Sequence, residues 1–160
     1  MGQLRTRALS GPGKGLRQPL RGLTWVILTL YSATVVYWMF IGFGREAGTG
    51  GPLHYNLVPL KTIKLFFNLE NGLTLGSRLV NLLGNVAVFV PFGILLPLLK
   101  PRLQSVFWIA VAVVPSILLL ETLQMLLRVG SFDIDDLLLN MLGVWTGCVL
   151  LKAGRRIRRR

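Results

Sequence analysis

Acid and amide side chains recur inside the most hydrocarbon-like part of this chain. Ser116-Ile-Leu-Leu-Leu-Glu121-Thr-Leu-Gln124 leads to Arg128, then to Phe132-Asp133-Ile-Asp135-Asp136 and Asn140. An ionisable group at mid-bilayer costs roughly 2.5–3.5 kcal/mol on insertion scales, so it has a partner or a task. Glu121 is the sharpest case, because an amide or an apolar residue would pack there at less cost. As a titrating acid it could act as a general acid or base, with Asp136 the second candidate for that role. As an anion it could hold a cation or a headgroup. Asn81, Asn85, Gln124, Arg128, Asp133, Asp135 and Asn140 complete the set of candidate binding residues.

Each of these positions also has a plain structural reading. Amides between membrane helices tie bundles together, at about 0.6 kcal/mol apiece. Asp133, Asp135 and Asp136 open a helix, where carboxylates accept free backbone N–H groups and oppose the positive dipole end. Asp133 with Asp136 three residues on has the form of a capping box. Local capping accounts for one or two of the three aspartates. Clustered carboxylates also suit a divalent cation, although Asp-x-Asp-Asp by itself does not define a metal site. No cofactor is called for: there is no phosphate-cradling Gly-rich loop and no nucleotide motif. His54 is the sole histidine and has no Ser/His/Asp or Cys/His set around it, so it reads as a surface residue. Cys148 is the only cysteine and reads as a small buried hydrophobe.

The elements that must position these residues are four apolar windows, about 23–43, 79–99, 106–127 and 134–151. Each approaches the ~20 residues that a 30 Å hydrocarbon core requires. Backbone groups in lipid must be paired internally, so the windows are helices. The expected fold class is an all-α membrane protein, a four-transmembrane-helix bundle spanning residues 23–151. A Gly-, Pro- and Arg-rich segment, 1–22, is expected to be a disordered basic tail, and 152–160 a second basic tail. Short second and third connections make neighbouring helices antiparallel. Pro91, Pro97 and Pro115 fall inside spans and predict kinks.

The net charge of +12 has a distribution that points to topology and not to nucleic acid. Thirteen of the 18 basic residues lie in the two tails and the connection holding Lys100 and Arg102. The positive-inside rule then places both termini in the cytoplasm. Residues 44–78 form the outer loop, where Leu60, Ile63 and Phe67 share a helical face suited to the headgroup plane or to folding back over the bundle. Asn71-Gly72 reads as a turn. At 1.5 Å per residue, Asn85, Glu121 and Asn140 lie about 7–10 Å below the outer surface on three different helices. Polar stripes from separate helices are therefore expected to open together toward the outer face.

Four motifs in order carry a resemblance. They are Asn56-Leu-Val-Pro59; Asn81-Leu-Leu-Gly84-Asn85 running to Pro91-Phe-Gly93; Ser116 with Glu121-Thr-Leu-Gln124; and Phe132-Asp133-Ile-Asp135-Asp136 running to Asn140 and Gly143. Over about residues 52–151 the chain resembles the VanZ-like family of bacterial membrane proteins, with Leu60 standing where a Phe commonly follows the Pro. The resemblance implies a small helical protein of the bacterial cytoplasmic membrane. It also implies a link to reduced susceptibility to teicoplanin-type lipoglycopeptides, the property associated with the family's namesake. Three functions compete. The first is a non-catalytic envelope protein whose outward polar pocket engages a lipid-linked cell-wall component or lipoglycopeptide. The second is an intramembrane enzyme acting on a phosphate- or sugar-bearing lipid through Glu121. The third is a proton-coupled carrier, for which four spans would call for a homo-oligomer. Membrane lipids are partners in all three.

Overall fold

A computed structural model describes residues 17–42, 48 and 50–158. Four long helices dominate: α1 (Arg17–Phe40), α3 (Leu75–Leu99), α4 (Val106–Leu126) and α5 (Ile134–Ile157). All four are long and apolar enough to cross a membrane. A short helix, α2 (Lys61–Phe67), lies in the connection between α1 and α3. The two-residue strands β1 (Tyr55–Asn56) and β2 (Phe132–Asp133) pair in parallel, Tyr55 with Phe132 and Asn56 with Asp133.

Helix α1 starts at Arg17, earlier than the expected first span. Residues 17–22 of the segment expected to be disordered are therefore helical, while 1–16 lie outside the described residues. Pro19 is tolerated there because first-turn amides have no intrahelical acceptor to lose. At the other end of the chain α5 continues through the basic segment to Ile157. Pro91 and Pro97 lie within α3, and Pro115 within α4, each helix remaining a single element.

The packing follows from small residues. A Cβ on Gly143 would collide with the Val86 carbonyl, one on Gly147 with the Val90 carbonyl, and one on Gly93 with the Val144 carbonyl. Helices α3 and α5 thus touch backbone to backbone, in ascending register along both, and so run parallel. In lipid there is little hydrophobic drive between helices, and such close approach supplies dispersion contacts instead. Helix α4 lies beside this pair. Phe89, Ile109, Val113, Ile117, Met141, Val144 and Cys148 form the buried core between the three. Cys148 is buried, as its reading as a small hydrophobe requires. Helix α1 joins through Tyr31, whose hydroxyl donates to the Val88 carbonyl at 2.9 Å and whose ring meets Phe92 at 5.3 Å. Alternating helix directions bring the α1–α3 and α4–α5 connections to one end of the bundle, the loop end. The α3–α4 connection, a 3₁₀ turn at Pro101–Gln104, lies at the other.

Candidate functional site at the loop end of the bundle

Helix α2 begins without a cap of its own. Its N-cap position is Leu60, an apolar residue in the left-handed region at φ 64 that gives no side-chain hydrogen bond. Such a conformation costs a non-glycine residue roughly 1–2 kcal/mol. The acceptor that offsets this comes from α5. Asp135, fully buried, takes the Leu60 amide on Oδ1 and the amides of Thr62 (2.7 Å) and Ile63 (3.1 Å) on Oδ2. A carboxylate far away in sequence does what a Ser or Asp at position 60 does in an ordinary helix.

Asp133 caps its own helix, accepting the Asp135 amide at 2.9 Å. The same oxygen takes the Asn56 side-chain amide at 3.1 Å, and its other oxygen takes the Thr62 hydroxyl. The capping-box form is only half realised. The Asp133 N–H donates to Glu121 Oε2 at 3.4 Å, and Asp136 accepts from the Asn85 amide instead. Glu121 is 2% exposed, so its carboxylate lies beneath the Asp133 backbone, on the inner side of the strand pair. Asn56 completes the network by donating to the Thr62 hydroxyl at 3.1 Å and accepting the Val58 amide at 3.2 Å.

The other end of α2 is held by a cation. Arg78, 5% exposed, donates from Nη1 to the Phe66 and Asn68 carbonyls, from Nε to the Leu73 carbonyl at 3.1 Å, and from Nη2 to Asn71 Oδ1. A carboxylate at the start of the helix and a guanidinium at its end both match the helix dipole. The turn at Asn71-Gly72 forms as expected, with Gly72 at φ 71 and Asn71 accepting the Leu73 amide. Helix α2 is thereby strapped across the bundle from α5 on one side and α3 on the other. Leu60 and Phe67 stay exposed while Ile63 is half-buried.

Above this network lies a cavity of about 560 Å³, lined by His54, Tyr55, Lys61, Lys64, Leu65, Asn68 and Ser131 together with Asn56, Thr62 and Asp133. A smaller one of about 160 Å³ lies beside it, lined by Gly48, Gly50, Pro52, Leu53, His54, Met125, Arg128 and Gly130.

A protein-family model described as VanZ/LLP1 matches residues 22–155. The chain belongs to the VanZ-like family. No curated protein and no solved structure matches it. Four membrane-crossing helices make this VanZ-like chain a multi-pass membrane protein in contact with lipid.

The nine residues singled out in the sequence separate into groups within the VanZ-like bundle. Glu121, Asp133 and Asp135 form one continuous network. Asn85 and Asp136 pair across the α3–α5 seam, and Asn140 is buried on α5 with no donor to its Oδ1 among the described residues. Gln124 ties α4 to α1 by donating to the Met39 carbonyl at 2.8 Å. Two residues point elsewhere. Asn81 is exposed and donates to the Ser77 carbonyl one turn back on its own helix. Arg128, at φ 58, donates to the Gly51 carbonyl and lines the smaller cavity. Among the described residues no group of three or more His, Cys, Asp and Glu could hold a metal ion. The aspartates do not assemble as a cation cage because Asp133 and Asp135 already accept N–H and O–H donors.

Sequence reasoning missed Lys61, Thr62, Lys64 and Arg78 as site residues and treated His54 as plain surface. Asn56 carried a signal, as part of the first family motif. Arg78 had none beyond its charge just ahead of a span.

Proposed function

We propose that this VanZ-like protein is a non-catalytic binding protein of the bacterial cytoplasmic membrane. In this reading its loop-end groove faces outward and engages a lipid-linked cell-wall component or a lipoglycopeptide at the membrane surface. One observation carries it: the 560 Å³ cavity formed by α2 and the β1–β2 pair, whose Asn56, Thr62 and Asp133 are held by the buried network below. A cavity of that size with a few fixed polar groups and an apolar margin has the character of a ligand site. The orientation is supported by charge. Among the described side chains Arg21, Lys100, Arg102, Lys152, Arg155, Arg156 and Arg158 lie toward the end away from the loop, against Lys61, Lys64, Arg78 and Arg128 toward the loop end, so the basic excess is on the side away from the groove. Reduced susceptibility to teicoplanin-type antibiotics would follow from capture of the drug or of its cell-wall target.

An enzymatic role for Glu121 or Asp136 on a phosphate- or sugar-bearing lipid ranks second, as does a carrier role. Neither carboxylate lines the groove. The test fills the groove: Ser131→Trp in the full-length protein is expected to abolish binding of lipid-linked precursor or lipoglycopeptide and to restore antibiotic susceptibility. Unchanged binding and susceptibility at normal membrane levels would remove the groove as the site.

A further inference from the structure

We infer that the groove is selective for a phosphate group carried on a lipid, with Lys61 and Lys64 as its paired cationic ligands. The inference deepens the binding reading above and rests on it. Lys61 and Lys64 are three residues apart on α2, so both project from one face of the helix, and both are exposed groove-lining residues. Neither side chain makes a hydrogen bond or ion pair among the described residues. His54 and Ser131 add hydrogen-bond donors to the same lining. The one acid there, Asp133, is 7% exposed. Its Oδ1 is taken by Asn56 and the Asp135 amide, and its Oδ2 by Thr62. The groove therefore offers donors outward while its carboxylate is satisfied inward, the arrangement that an anion with several acceptor oxygens needs.

The surroundings indicate an amphiphile. Leu57, Val58, Phe67 and Leu69 are 59–82% exposed along the same connection, where the spans end. An apolar tail leaving the groove meets hydrocarbon at once. The headgroup chemistry is a phosphomonoester or pyrophosphate, whether on a lipid or free.

The experiment uses the full-length protein in nanodiscs of zwitterionic lipid. It titrates a long-chain polyprenyl monophosphate, the same polyprenol without phosphate, and inorganic pyrophosphate as competitor. Wild type is expected to bind the phosphate-bearing lipid at least about tenfold more tightly than the alcohol. The Lys61→Gln/Lys64→Gln double variant should lose about that factor, and Lys61→Arg/Lys64→Arg should keep it. Displacement by pyrophosphate supports the phosphate site and shows that the headgroup suffices. Failure to displace, with the other results in place, supports the lipid-borne form. Equal affinity for phosphate and alcohol, wild-type affinity in the Gln double variant, or no binding of the monophosphate by wild type each overturns the phosphate assignment. Ser131→Trp separates the two readings. If it abolishes alcohol or lipoglycopeptide binding while the Gln variant has no effect, the groove stands without phosphate selectivity. If it changes nothing, both readings fall. Should the double variant fail to fold, each single Lys→Gln, compared with its Arg counterpart, decides the same question.

Discussion

Removing the carboxylate of Asp135 should detach α2 without unfolding the bundle. In Asp135→Asn the side chain keeps its shape but can accept at one position only. Keeping its oxygen toward Thr62 and Ile63 preserves two contacts and turns an NH₂ toward the Leu60 amide, leaving that donor without an acceptor. Hydrogen bonds to a charged group contribute about 1.5–3 kcal/mol and neutral ones about 0.5–1.5 kcal/mol. Losing one and weakening two by about 1 kcal/mol each comes to about 3.5–5 kcal/mol as an upper bound, reduced to the extent that the released amides hydrate. Asp135→Ala orphans all three amides, and the loss is then limited by what holds α2 down, since the freed strap can hydrate its own backbone. The readout is hydrogen exchange at the amides of Leu60, Thr62 and Ile63 in detergent or nanodiscs. A loss of about 2 kcal/mol accelerates exchange there roughly 30-fold, with amides of α3 and α5 near Val86, Val90, Gly143 and Gly147 unaffected. Arg78→Gln should show the complementary pattern, loosening residues 66–73 while the amides of Leu60 and Thr62 stay protected. If Asp135→Ala left those N-terminal amides as protected as in wild type, in a folded protein, the carboxylate would not be the cap.

The glycine seam gives a second prediction. Gly147→Val puts atoms onto the Val90 carbonyl and should destabilise the bundle by about 1–3 kcal/mol or more, seen as a lower melting temperature, while Gly154→Ala, with open space around it, should be neutral. Orientation is tested by thiol labelling in a Cys148→Ser background. A cysteine at Ser131 should react with a membrane-impermeant reagent in intact cells, and one at Arg156 only after permeabilisation; the reverse pattern would overturn the outward assignment of the groove.

The spans and their number were legible because hydrophobic length is a property of contiguous sequence, whereas α1 and α3 begin before their apolar windows and α5 ends beyond its own, in more polar residues. The second and third windows end at Leu99 and begin at Val106, as α3 and α4 do. Asp133 as a helix cap was legible for the same reason, since a cap acts on its own neighbours. What was hidden is the partner of each buried charge. Asp135 acts on amides of another helix and Arg78 on carbonyls of another loop, and neither pairing leaves a spacing to read. Asn81 misled because a four-residue interval to Asn85 suggests one stripe. A residue near the end of a span can satisfy its amide on the Ser77 carbonyl and face outward. Depth along a helix was estimated well enough to bring Asn85, Glu121 and Asn140 to one end. Rotation about the helix axis separated what depth had grouped.

The distance in sequence between α2 and its cap has a consequence for biogenesis. Leu60 and Asp135 are separated by 75 residues, so the acceptor leaves the ribosome after three spans have already been handed to the membrane. Until the last helix enters, the loop-end strap has no acceptor for its leading amides and stays unformed. A nascent chain arrested before Asp135 should expose this connection to protease, and its protection would time the insertion of the final span.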